Sequence, residues 1–167
     1  GNSPQEIKAA LENAMSDGYT PTLAIIFISV KQDHKAICKL MDDASIAFFG
    51  CTTNGEFIDE ATEKGSIAIL LLDINRSYFQ IYFEEYPEKN YREITNRIAQ
   101  KVKERFSAPA FFIAGSNIET DAEELLFGFE DVVGKEVNVF GCMAGDDFTF
   151  SDQFVFTNEY ASSRGVV

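Results

Sequence analysis

An internal repeat constrains this chain more than any other feature of its sequence. Phe49-Gly50-Cys51 precedes Gly55-Glu56-Phe57, and Phe140-Gly141-Cys142 precedes Gly145-Asp146-Asp147-Phe148. Upstream of each motif, a proline at position 21 or 109 introduces an apolar run. A period of about 90 residues is too long for a solenoid. We therefore predict a duplicated α/β unit, with halves of about 1–88 and 89–167 packed around a pseudo-two-fold axis within a single domain.

The order of the predicted elements is the same in both halves: helix, strand, helix, strand, loop and hairpin. In the first half the predicted helices cover about residues 4–16 and 33–42, and the strands 22–28, 46–51, 66–72 and 78–84. In the second half the helices cover about residues 91–106 and 120–132, and the strands 110–114, 137–142, 153–158 and 165 onward.

The pairing of these strands follows from their connections. Residues 22–28 are nearly all apolar, which is typical of a strand buried on both faces and covered by helices. A strand–helix–strand connection favours parallel pairing, and the hairpins add antiparallel strands. The fold class predicted is α/β, with a mixed sheet or sheets flanked by helices. The pattern leaves open whether there is one sheet or two.

Charge and composition exclude several classes of function. The chain of 167 residues carries a formal charge of −13 and is 46% hydrophobic. This acidity disfavours binding to nucleic acids or to anionic membranes. The longest apolar run, residues 67–72, is far too short to span a bilayer. Three cysteines without a CxxC motif fit a reducing compartment, so we predict a cytoplasmic protein.

Two polar loops follow the predicted parallel strands, where ligands usually bind in α/β sheets. Backbone N–H groups and threonine hydroxyls can hold a carboxylate, while an acidic side chain can hold an ammonium group. A zwitterion such as an amino acid would satisfy both. The same residues also suit ordinary turns, which is the competing interpretation. The predicted ligand-binding residues are Thr52, Thr53, Asn54, Gly55, Glu56, Gly145, Asp146 and Asp147.

No catalytic motif stands out, so we predict neither an enzyme nor a cofactor or metal. His34 is the only histidine, which excludes a site with two histidine ligands. Three alternatives remain open. The first is a hydrolase or transferase that uses a loop acid, a threonine or Cys51, with His34 as a base. The second is a hard cation held by Glu56, Asp146 and Asp147. The third is an interaction module that pairs through an exposed strand edge and binds no small ligand.

The loop motifs resemble the N-terminal part of the FIST sensory domain. The matching segments are Phe49–Glu56, Val139–Asp147 and Val155–Asn158. The resemblance implies an intracellular input module for signal transduction, proposed to bind small ligands such as amino acids. It also implies a partner or attached output module, of the chemotaxis, histidine-kinase or cyclic-di-GMP type, and a further C-terminal portion. Asn54 and Cys142 depart from the family pattern, where Ala and a second Gly are expected.

Overall fold

The computed structural model describes residues 1–58, 61–150 and 152–167. The α-helices within these ranges are α1 (Pro4–Ala14), α2 (His34–Asp43), α3 (Tyr91–Arg105) and α4 (Ala122–Val133). The strands are β1 (Leu23–Ser29), β2 (Ala47–Thr53), β3 (Glu56–Ile58), β4 (Ala61–Glu63), β5 (Ile67–Leu72), β6 (Glu84–Glu85), β7 (Ala110–Gly115), β8 (Asn138–Met143), β9 (Val155–Thr157), β10 (Ala161–Ser162) and β11 (Gly165–Val166). A short 3₁₀ helix spans Arg76–Tyr78.

The strands form two main sheets, both of them mixed. The first has the order β10-β9-β2-β1-β5, in which β1 and β2 are parallel and β5 and β9 are antiparallel to their neighbours. The second has the order β6-β11-β7-β8, in which β7 and β8 are parallel and β11 is antiparallel to β7. A separate ribbon consists of β3 and β4. The prediction of an α/β fold with mixed sheets is confirmed, and the number of main sheets is two.

Local capping explains where the helices begin. The Ser3 hydroxyl accepts a hydrogen bond from the Glu6 backbone N–H at 3.2 Å, and Pro4 occupies the first position of α1. At α4, the carboxylate of Asp121 accepts from the backbone N–H groups of Glu123 and Glu124, each at 3.1 Å. These caps satisfy donors that a helix cannot satisfy internally.

Three apolar clusters hold the layers together. Helices α1 and α2 cover one face of the first sheet, and α3 and α4 cover the second sheet. A third cluster joins the two sheets face to face, and its members include Leu23, Ile25, Phe49, Cys51, Ala114, Ala144 and Val155. Alternate residues of β1 therefore face the helices and the other sheet, which explains why its sequence is apolar throughout.

Helices α3 and α4 approach one another at Gly128. A Cβ atom at this position would lie 2.9 Å from the backbone N of Asn96 and even closer to the Thr95 hydroxyl and the Arg92 carbonyl oxygen. Only glycine fits this crossing without moving the helices.

Both predicted hairpins are wrong. Strand β5 pairs with β1 and not with residues 78–84. Of those residues only Glu84 belongs to a strand, β6, which pairs with β11. Likewise, β9 pairs with β2 and β10, whereas β11 pairs with β6 and β7. The strands pair in this way because β1, β2 and β7 are buried strands, and the backbone groups on their remaining edges need hydrogen-bond partners. Each sheet nevertheless contains a parallel β–α–β unit with an antiparallel strand beside it. Duplication about a pseudo-two-fold axis stays a prediction.

No helix in the described part of the chain has the length and hydropathy to cross a membrane.

Candidate functional site

The two polar loops lie against one another. The backbone carbonyl of Thr52 accepts a hydrogen bond from the Gly145 N–H at 2.8 Å, and that of Thr53 accepts from the Asp147 N–H at 3.2 Å. One loop follows β2 in the first sheet and the other follows β8 in the second sheet. The junction of these loops therefore connects the two sheets at the carboxyl ends of their parallel strands.

Asn54 bridges the loops with its side chain. Its Oδ1 accepts hydrogen bonds from the backbone N–H groups of Asp146 at 2.8 Å and Phe148 at 3.3 Å. Gly145 makes the close approach feasible, because a Cβ atom there would lie 2.6 Å from the Asn54 amide carbon. Asn54 is thus the side chain that joins the two loops.

Glu56 is part of the scaffold of the first loop. The residue is only 4% exposed, and its Oε2 accepts from the Ser66 N–H at 3.0 Å and the Ser66 hydroxyl at 2.8 Å. Its other carboxylate oxygen accepts from the Thr53 hydroxyl. The Thr52 hydroxyl is also engaged, because it accepts from the Phe154 N–H at 3.0 Å. The carboxylate and both hydroxyls therefore hold β2, β5 and the segment before β9 together.

Asp146 has a comparable role in the second loop. The residue is fully buried, and its Oδ2 accepts from the Thr149 hydroxyl at 2.9 Å and the Asp152 N–H at 3.2 Å. Its Oδ1 accepts from the side-chain amide of Gln153 at 3.3 Å. Because both oxygens are hydrogen-bonded, this carboxylate organises the turn that follows it.

Asp147 differs from the other loop acids. Its side chain is 6% exposed, and its Oδ2 accepts from the Ser29 hydroxyl at 2.7 Å and pairs with Lys31 Nζ at 3.2 Å. Its Oδ1 is buried and has no hydrogen-bond partner among the residues that the structure describes. A buried carboxylate oxygen normally has a donor, so this one has unused capacity to accept a hydrogen bond.

The loop around Asp147 carries unusual backbone conformations. Asp147, Phe148 and Phe150 have φ values of 56°, 65° and 57°, which lie in the left-handed region. For a phenylalanine this conformation is strained, at a cost of order 1–3 kcal/mol each. Both phenylalanine side chains are exposed. The turn 147–150 is therefore held by its hydrogen bonds rather than by preferred dihedral angles or by burial.

Sequence reasoning missed two residues of this site. Ser29 ends β1 and its hydroxyl bonds to Asp147, while Lys31 follows two residues later. The position of Ser29 at the end of a parallel strand could have indicated it, because β1 ends at the same edge as β2. Lys31 belongs to no sequence pattern, and only the fold brings it next to the acid.

His34 and Cys51, the residues of the enzyme alternative, each contact another residue. The His34 ring packs 4.9 Å from the ring of Phe154, and its pKa is lowered, first by burial and then by the neighbouring Lys35. Cys51 instead contacts Cys142, with the two sulfurs 3.6 Å apart. Within the described residues, no group of three or more histidine, cysteine or acidic side chains is arranged to hold a metal ion.

A family model for the FIST N domain matches residues 22–167, nearly the whole chain. The chain belongs to the FIST family. The FIST domain is a sensory domain of signal transduction, and the loop junction described above lies within the matched region. No curated protein and no solved structure gives a significant match to this FIST domain.

Proposed function

We propose that this FIST domain binds an amino acid at the loop junction and passes the binding event to an attached or partner signalling module. In this proposal Asp147 Oδ1 accepts a hydrogen bond from the ligand ammonium, and Lys31 pairs with the ligand carboxylate. The observation that carries the proposal is the buried, unpartnered Oδ1 of Asp147 beside a lysine.

The energetics favour a cationic donor at this oxygen. A buried polar atom without a partner costs about 1–3 kcal/mol, which a ligand that supplies the hydrogen bond recovers. An ammonium group also adds a charge-assisted interaction with the carboxylate. Lys31, whose side chain is 66% exposed, can turn toward a ligand carboxylate without leaving the site. A zwitterion therefore matches both groups better than an amine or a carboxylate alone.

The other loop residues act as supports in this proposal. Asn54 and Gly145 set the distance between the loops, whereas Thr52, Thr53, Gly55, Glu56 and Asp146 shape the loops themselves. Their engaged hydrogen bonds favour this supporting role over direct contact with the ligand.

Binding at Asp147 offers a route to a conformational signal. The Oδ1 atom is screened from solvent, so a ligand must displace part of the turn 147–150 to reach it. That turn is strained, which lowers the cost of rearranging it. The same side chain holds Ser29 at the end of β1. Ligand binding would therefore change the attachment of the β8 loop to the first sheet. The size of this shift is limited by the difference between the ligand's affinities for the two arrangements.

We also propose that the domain is cytoplasmic, has no enzyme activity of its own, and arose by duplication of one α/β unit. The engagement of the loop acids and threonines in structural hydrogen bonds supports a binding role over a catalytic one. The parallel β–α–β unit in each sheet supports the duplication.

Thermal unfolding with each of the twenty amino acids tests the ligand proposal, alongside a simple amine and a simple carboxylate. We expect one or a few amino acids to raise the melting temperature with increasing concentration, because a ligand that binds only the folded state stabilises it. The amine and carboxylate controls should have little effect.

Two variants and a control locate the site. Asp147→Asn keeps the shape and the acceptor for Ser29 but removes the charge, so we expect it to weaken binding at least about tenfold, with a smaller loss for Lys31→Gln. Asp17→Asn changes an exposed acid outside both polar loops and should bind normally. Normal binding by Asp147→Asn would place the site elsewhere. No response to any amino acid would rule out this ligand class.

A second candidate, an interaction module, is favoured by β8. This strand is the last in its sheet, and Phe140 on it is 57% exposed. An edge strand with an exposed aromatic residue can pair with a second copy of the chain. Light scattering of wild type and Phe140→Lys tests this candidate. A dimer that the substitution dissociates would support it, and a monomeric wild type at high concentration would exclude it.

A further inference from the structure

Two cysteines from different sheets meet in the apolar layer between the sheets. Cys51 lies on β2 and Cys142 on β8, 91 residues apart in sequence, and their sulfur atoms are 3.6 Å apart. Cys51 is buried, whereas Cys142 is half-buried. Neither residue has a part in the ligand-binding proposal.

We propose that Cys51 and Cys142 are a reversible oxidation site, at which a hydroperoxide converts the two thiols to a disulfide that joins the two sheets. A disulfide has a sulfur–sulfur distance of about 2.05 Å, so the two atoms must approach by about 1.5 Å. Side-chain rotation on two strands that face one another across the layer between the sheets can supply much of this approach. Both thiols are also oriented toward one another, since they share a hydrogen bond.

The surroundings assign different roles to the two sulfurs. The hydrogen bond from Cys51 lowers the pKa of Cys142, against the opposing effect of burial. The same hydrogen bond, followed by burial, raises the pKa of Cys51. The thiolate is the nucleophile in thiol oxidation. Cys142 is also the more accessible of the two thiols, so a peroxide reaches it first and Cys142 is the residue that reacts first.

The reaction balances with the peroxide as the oxidant. The Cys142 thiolate attacks one peroxide oxygen and becomes a sulfenic acid, while the O–O bond breaks and the other oxygen leaves after protonation, as water from hydrogen peroxide or as an alcohol from an organic hydroperoxide. Cys51 then attacks the oxidised sulfur, loses its proton, and releases a water molecule as the disulfide forms. A thiol reductant reverses the reaction.

The position of the disulfide gives it a structural effect. Each cysteine lies within two residues of the end of a strand that leads into one of the two polar loops. The cross-link would tie β2 to β8 beside the hydrogen bond between Thr52 and Gly145. Oxidation should therefore raise the thermal stability of the sheet interface, since the disulfide closes a long loop in the unfolded chain.

Cys38 provides an internal control within the same protein. Burial, followed by the nearby Asp42, raises the pKa of the Cys38 thiol to about 11. This rise from the usual value of 9.0 lowers the thiolate population of Cys38 about a hundredfold relative to an ordinary cysteine, and the lower nucleophilicity of the more acidic thiol reduces the difference in rate to about tenfold. We expect Cys142 to react at least about tenfold faster than Cys38.

The experiment treats the reduced protein with hydrogen peroxide and follows it by intact mass and peptide mapping. Wild type should lose two hydrogen atoms and yield a linked peptide containing Cys51 and Cys142, with Cys38 still reduced. In Cys51→Ala, Cys142 should stop at a sulfenic acid that dimedone captures. In Cys142→Ala, Cys51 should remain a thiol at the same peroxide dose.

The opposite results would overturn the proposal. In one such result the wild type yields no linked peptide containing Cys51 and Cys142; in the other, Cys38 reacts as fast as Cys142. Circular dichroism of both alanine variants checks that they fold, and the Cys38→Ser variant, which should still form the disulfide, keeps the test valid if one of them does not. The assay needs no ligand, so its outcome is independent of the ligand proposal.

Discussion

Replacing Asn54 with alanine tests whether one side chain holds the two loops together. The substitution removes the acceptor for two backbone N–H groups, those of Asp146 at 2.8 Å and Phe148 at 3.3 Å. Asp146 is fully buried, so its N–H would lose its partner at a cost of about 1–3 kcal/mol. Phe148 is exposed and its hydrogen bond is longer, so water can replace the acceptor and the cost falls to a few tenths of a kcal/mol.

The expected total is a loss of about 1.5–3 kcal/mol in the free energy of unfolding, which corresponds to about 3–12 °C in melting temperature for a chain of this size. Urea unfolding measures it directly. Asn158→Ala is the matched control, because Asn158 is exposed and makes no side-chain hydrogen bond to the described residues. Asn54→Asp keeps the acceptor oxygen but adds a negative charge that repels Asp147. Raised salt should weaken this repulsion.

A loss below about 0.5 kcal/mol for Asn54→Ala, equal to that of Asn158→Ala, would refute the role of Asn54 in joining the loops. A buried N–H left without an acceptor destabilises the fold by more than that. The loop junction would then depend on the backbone hydrogen bonds of Thr52 and Thr53 alone.

Two further predictions concern the helices. Gly128→Ala gains about 1 kcal/mol of helix propensity but forces a methyl group against the Arg92 carbonyl and the Thr95 hydroxyl. We therefore expect urea unfolding to show a net destabilisation of about 1–3 kcal/mol. A variant more stable than wild type would contradict the close crossing of the helices. Burial keeps the pKa of His34 below the ordinary histidine value of 6.5, so protonation favours the unfolded chain and stability falls as the pH drops through about 6.5. The stability of His34→Gln should decline less than that of wild type between about pH 7.5 and pH 5.5. An equal loss of stability in His34→Gln and wild type would contradict the lowered pKa of His34.

Much of the fold was predictable because its signals are local. Capping residues and apolar periodicity located α1 and α4, and the apolar run after Pro21 located β1. The rule for ligand sites in α/β sheets placed each polar loop at the carboxyl end of a parallel strand, whereas the contact between the two loops depends on how the two sheets pack.

The errors concern contacts between distant parts of the chain. The sequence of residues 78–84 predicted a strand, but such a pattern does not show which strand it pairs with. The open edge of β1 pairs with β5. The partners of Asp147 were unpredictable for the same reason, because Ser29 lies 118 residues away in sequence. The sequence identified the acids of the loops, but only the fold distinguishes the one with an unused oxygen from those already satisfied.

The pairing of β9 with β2 also determines the order in which the domain can be assembled during synthesis. Phe49 pairs with Thr157, so β2 is synthesised long before its partner. At about 5–20 residues per second, that delay lasts about 5–20 seconds. Throughout this interval one edge of β2 presents free N–H and C=O groups, next to an apolar surface that only the second half covers. The nascent first half therefore keeps an unpaired strand edge for several seconds, and the first sheet closes only after β9 has left the ribosome.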